Sequence, residues 1–129
     1  MEKTAILKGF NDHFAEFIED LKLVFPDNDD LSTLASFIKT VRKANPRLAI
    51  SAWNECVCIP YGDEIRSGNV EYFLEKDYSA DLDGNESKDH IIQSIDKIRG
   101  PIAKLSAGDK EKSMLYIQNL TKLATVYST

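Results

Sequence analysis

Ile6, Phe10, Phe14, Phe17, Leu21 and Val24 recur at steps of 4, 4, 3, 4 and 3 residues. That is the repeat of one face of an α-helix, and no strand places those six side chains on a common side. Burying a phenylalanine ring stabilises a fold by roughly 1.5–3 kcal/mol, so the three in this stripe demand a partner surface. Ile18 and Phe25 widen the stripe, while Lys8, Asp12, Glu16, Glu19 and Lys22 lie mostly away from it. Glu2 to Phe25 therefore reads as a long amphipathic helix. Pro26 stops it, because the residue before a proline resists the α region.

The same period continues. Leu31, Leu34, Ala35, Ile38 and Val41 mark a second helix, with Asp29 or Asp30 as its expected N-cap and Lys39, Arg42 and Lys43 near its C-terminal end. Asn45-Pro46 closes it and opens a third, on which Ala49, Ala52, Trp53, Cys56 and Ile59 share a face. Tyr61-Gly62-Asp63 reads as a turn, followed by a short helix over Glu64, Ile65 and Arg66 that Gly68 ends in a left-handed cap. Asn69 is the expected cap of a further helix, Val70 to Lys76, presenting Val70, Phe73 and Leu74. Ser79 to Asp89 is polar and acidic and reads as a mobile loop. Ile91, Ile95, Ile98, Ile102 and Leu105 then repeat at helical spacing, with a kink or break predicted at Gly100-Pro101. After a turn at Ser106–Asp109, Leu115, Ile117, Leu120, Leu123, Ala124 and Tyr127 mark the last helix. The expected architecture is all-α: one domain over residues 1–129, a bundle of five to six helices. Residues 1–78 form its core, 79–89 the loop and 90–129 an antiparallel helical hairpin. Phe10, Phe14, Phe17, Trp53 and Phe73 are its expected anchors.

Chemistry is harder to find. The net charge of −5 comes from 21 acidic against 16 basic residues. The basic side chains are dispersed, and the one cluster (Lys39, Arg42, Lys43, Arg47) adjoins the acidic Asp27–Asp30 run, which argues against a nucleic-acid face. No apolar run approaches the roughly 18 residues of a membrane span. The first residues lack a basic region followed by an apolar core, so the expectation is an intracellular protein. Cys56 and Cys58 stand two apart, about 200° around a helix, so they neither bridge nor share a metal. They read as small buried thiols in a reducing compartment. The calcium-like start at Asp81 fails: position 6 of such a loop would be Glu86 rather than Gly, and position 12 Ile92 rather than Glu. A nucleophilic site would require His13 or His90 to reach a cysteine through the fold; His13, beside Phe10 and Phe14, reads instead as a boundary residue. No catalytic, metal or cofactor site is expected. What remains is recognition by surface. Tyr61, Asp63, Tyr72 and Tyr78 lie in an irregular, Gly/Pro-broken region, where aromatics serve either as the wet rim of the core or as interface anchors.

The stretches FNDHFAEFIEDLKLVFPDNDD, NPRLAISAWNE and YGDEIRSGNVEYFLEKDY, spread between Phe10 and Tyr78, resemble a small protein family of the nucleocytoplasmic large DNA viruses, which infect algae and amoebae among other hosts. The residues from Ser79 onward carry none of that resemblance. It implies a viral protein made in the host cell, present in the cytoplasm and, as a minor capsid or virion-assembly component, in the particle. It assigns no activity and no functional residues. The expected function is thus non-enzymatic and structural, with capsid proteins or a second copy of the chain as partners. The alternative is an intracellular regulator that binds a host or viral protein.

Overall fold

In the computed structural model, residues 2–69, 74 and 86–128 are described. They contain six α-helices and no strand: α1 (Lys3–Val24), α2 (Asp29–Ala44), α3 (Leu48–Trp53), α4 (Ile59–Arg66), α5 (Glu86–Ala103) and α6 (Ala107–Ser128). The expected all-α, single-domain bundle is what the chain forms. Tyr72, Phe73, Tyr78 and the rest of the expected Val70–Lys76 helix apart from Leu74, like the loop residues up to Asn85, lie outside the described residues.

The phenylalanine stripe does what its spacing requires. Ile6, Phe10, Phe14, Phe17, Ile18 and Leu21 are all buried along α1. Val24, the last member of the stripe, is not: it is 48% exposed, because α1 runs on past the edge of the core. The cap of α2 is Asn28 rather than Asp29 or Asp30. Its Oδ1 accepts from the Leu31 N–H at 3.2 Å, leaving both aspartates in the first turn, where their charge complements the helix dipole. Asp12 of α1 reaches across to α2, accepting from Arg42 at 2.6 Å and from Lys8 at 2.7 Å. Those two hydrogen-bonded cations, Lys8 and then Arg42, hold its carboxyl below the usual aspartate range.

Between α3 and α4 the chain does not break. Asn54–Cys58 forms one wide π-helical turn, so Leu48 to Arg66 is a single continuous rod that passes through Pro60 and the expected turn at Tyr61-Gly62-Asp63. A proline removes one N–H and crowds the carbonyl four residues back. The wide turn meets that demand just upstream, with the Ile59 N–H bonding to Asn54 O five residues back. The extra residue also shifts the phase of everything that follows. Ile59, expected on the Trp53 face, is 74% exposed, and Ile65 takes the interior instead. Gly68 (φ +86°) does end the rod as expected. The Gly68 N–H bonds to Ile65 O at 3.0 Å and the Asn69 N–H to Glu64 O at 3.1 Å, the paired bonds of a Schellman cap.

One side of the rod is core, with Ala49, Ile50, Ala52, Trp53, Cys56, Val57, Cys58 and Ile65 all buried, while Ser51, Glu55, Ile59, Asp63 and Arg66 face solvent. Trp53 meets Phe10 and Phe14 edge-on, with ring centroids 6.2 and 5.9 Å away. The turn leading into the rod is pinned from α1, where buried Asn11 donates its Nδ2–H to Pro46 O at 2.9 Å.

α5 begins at Glu86, inside the stretch expected to be loop, and runs unbroken through Gly100-Pro101 to Ala103. Pro101 falls in the last turn and is buried with Ile98 and Ile102, so the burial of its neighbours offsets one missing hydrogen bond. The side chains of His90, Ile91 and Ile95 lie outside the description. α5 and α6 follow each other across a short turn, yet among the described residues each packs chiefly elsewhere, α5 on α3 and α6 on α1. On α6 the interior face is Ser113, Met114, Tyr116, Ile117, Leu120, Thr121 and Ala124. Leu115, expected inside, is exposed. No helix among the described residues is long and apolar enough to cross a membrane.

Candidate functional site

Two places gather chemistry. The first is internal. The Trp53 indole N–H donates to Thr121 Oγ1 at 3.0 Å, and that hydroxyl donates to Ile117 O at 2.8 Å. The Thr121 carbonyl in turn accepts from the Cys58 thiol at 3.4 Å and from the Thr125 hydroxyl at 2.8 Å. Both cysteines are free and buried. Burial raises the Cys58 pKa above its ordinary value, a shift the Thr125 hydroxyl partly opposes. The thiol therefore stays protonated at neutral pH and is a poor nucleophile. This cluster satisfies polar groups inside the core and locks α6 onto the rod.

The second is a groove at the surface, where the last turns of α1 meet the first turns of α6. Its floor is Phe17, Leu21 and Leu105; Leu23 and Val24 form one wall, and Asp20, Asp109, Lys112 and Tyr116 the other. The volume open to a ligand is about 180 Å³. Leu23 is 80% exposed, the most accessible large apolar side chain among those described. Its neighbours at helical spacing, Glu16, Glu19 and Asp20, make up the polar face of α1, so Leu23 and the adjoining Val24 are oily residues turned to solvent beside the concavity.

Tyr116 sets the shape of this wall. Its ring stacks on Phe17 at 4.9 Å and 16° and meets His13 at 4.7 Å. Its hydroxyl donates a short hydrogen bond to Asp20. His13, Phe17 and Asp20 lie at steps of four and three, one face of α1, so a single residue of α6 engages three turns of the opposite helix. Burial first, then the Asp20 carboxylate and the Glu16 charge, push the Tyr116 hydroxyl well above its ordinary pKa. Lys112 stands 3.9 Å from the same carboxylate. His13 is half-buried, as a boundary residue should be, and its Nε2 is shut from solvent without a hydrogen-bond partner among the described residues.

Of the residues expected to form an interaction surface, Tyr61 is half-buried on α4 and Asp63 is exposed, paired with Arg66 at 2.6 Å. Tyr72 and Tyr78 lie outside the described residues. Of the expected anchors, Phe10, Phe14, Phe17 and Trp53 are buried. Sequence reasoning passed over Tyr116, Thr121, Asn11 and Leu23. Among the described residues no group of three or more His, Cys, Asp or Glu side chains is placed to hold a metal ion. Set against protein-family models, curated proteins and solved structures, the chain matches none.

Proposed function

We propose that this chain is a non-enzymatic protein-interaction module, a structural or assembly component of a large DNA virus, and that the α1–α6 groove is its contact surface. One observation carries the contact reading: Leu23, 80% exposed, and Val24, 48% exposed, stand beside an apolar concavity floored by Phe17, Leu21 and Leu105. Scattered single apolar residues on a surface need no explanation, whereas apolar residues clustered at a concavity with a polar rim mark a binding place. The viral setting rests on the resemblance between Phe10 and Tyr78, which spans the Phe stripe and the central rod.

Quantitative mass spectrometry of fractionated infected cells and purified particles tests both halves. The protein is expected to travel with particles in fixed proportion to other minor components, and a Leu23→Glu substitution is expected to release it. Its absence from purified particles would remove the virion role. Retention of the Leu23→Glu protein would move the contact surface elsewhere.

A further inference from the structure

We infer that the α1–α6 groove receives a basic segment of a partner protein that carries one large apolar anchor. This rests on reading the groove as the contact surface and adds the chemistry of its occupant. Size sets the anchor. An apolar cavity of about 150 Å³ holds one benzene-sized group, so the roughly 180 Å³ here takes one Leu, Met or Phe side chain rather than a row of them. A segment laid between two helices would present that anchor and cover exposed Leu23 with its flanks.

Charge sets the flanks. On the rim Asp20 is already paired with Lys112 at 3.9 Å and accepts from the Tyr116 hydroxyl, which leaves the Asp109 carboxylate as the uncompensated charge of the lining. Lys22, near the same end of α1, is turned to Glu19 at 3.7 Å. α1 terminates at Val24 on the groove wall, and the C-terminal end of a helix bears partial negative charge. Three residues further on comes exposed Asp27, its Cα no more than about 11 Å from that of Val24, with Asp29 and Asp30 following. The N-terminal end of α6 on the other side of the groove offsets the α1 end, which leaves Asp109, the adjoining acidic turn and the net charge of −5 to favour cations. An acidic segment would be repelled by each of them.

The test is selection of displayed peptides of about 16 residues, roughly four helical turns, from a library with acidic and basic residues at equal frequency. The full chain is the target at low salt, and clones that also bind the Leu23→Glu variant are discarded. Circular dichroism is expected to show that variant folded, since the side chain is largely in water. Surviving clones are expected to share one large apolar residue flanked by an excess of Lys and Arg. A synthetic copy of the leading clone should bind about tenfold more tightly than its Lys/Arg→Glu counterpart, an advantage that shrinks as salt shortens the Debye length and reverses in Asp109→Lys. Leu23-dependent clones that are acidic or uncharged would overturn the inferred chemistry and leave the contact surface standing. A selection that yields no Leu23-dependent clone would overturn both.

Discussion

Thr121→Val removes one oxygen from the centre of the molecule and little else. Valine keeps the branched shape, so packing against Trp53 is retained, but the hydroxyl that the indole N–H donates to at 3.0 Å is gone. Trp53 and Thr121 are both fully buried, at 0% exposure, so water does not replace it. Taking an acceptor from a buried donor costs about 1–3 kcal/mol. Part of that is returned because a methyl group is cheaper to bury than a hydroxyl. The Ile117 carbonyl, which accepted from the threonine, keeps its place in the helix. The net expectation is about 2 kcal/mol of lost stability, or roughly 6–10 °C in Tm for a chain of this length. Urea unfolding followed by both far-ultraviolet circular dichroism and emission of the single Trp gives the number directly. A double-mutant cycle gives the cause. In a Trp53→Phe background there is no indole donor to strand, so Thr121→Val should cost under about 0.5 kcal/mol, leaving a coupling near 1.5 kcal/mol. A loss below about 0.5 kcal/mol in the wild-type background, or an equal loss in both, would refute the reasoning.

Two further outcomes follow from the same geometry. Because the Tyr116 hydroxyl holds its proton more tightly in the folded chain, it contributes stability below the ordinary tyrosine pKa of about 10, and that contribution is lost as pH rises beyond it. The stability gap between wild type and Tyr116→Phe should therefore be level up to about pH 9 and close above pH 10, which alkaline urea titrations would detect. At the helix ends, Gly68→Ala forces a Cβ into φ +86° and should cost about 1 kcal/mol, and Asn28→Ala loses the α2 cap for about the same; thermal melts that leave either variant at wild-type stability would contradict the assignment.

Much of the fold was legible because helix faces made of Phe, Leu and Ile announce themselves. The α1 stripe from Ile6 to Leu21, the α2 face and the Gly68 cap are set by local physics that a single chain displays. Three things were not. Val24 belongs to the stripe by spacing but lies beyond the end of what α1 covers, and no periodicity reports where a neighbouring helix stops. The α6 face was missed by its polar members. Ser113, Tyr116, Ile117, Leu120, Thr121 and Ala124 follow helical steps as faithfully as any stripe, but hydropathy discounts Ser and Thr, although a hydroxyl that bonds within its own helix is readily buried. Counting them would have turned Leu115 outward and brought Tyr116 into view. The wide turn at Asn54–Cys58 was illegible for a different reason. Pro60 reads as a breaker unless the surrounding core compels the chain to keep winding, and that compulsion comes from Phe10, Phe14 and Thr121, far away in sequence. The groove followed the same rule, since its lining comes from α1, from α6 and from Leu105 between α5 and α6.

The unusual winding at Asn54–Cys58 sets how the central rod bears changes of length. A single surplus residue has been absorbed in the middle of the protein without opening a loop, so the segment from Ile59 to Arg66 is clocked differently from the one holding Trp53. Removing one of those five residues would restore ordinary winding and leave the far half facing as it does, whereas a deletion elsewhere in the rod would rotate that half by about 100° and drive Ile65 toward solvent. The register of this rod, more than the identity of its side chains, keeps Ile65 and Gly68 aimed where they are.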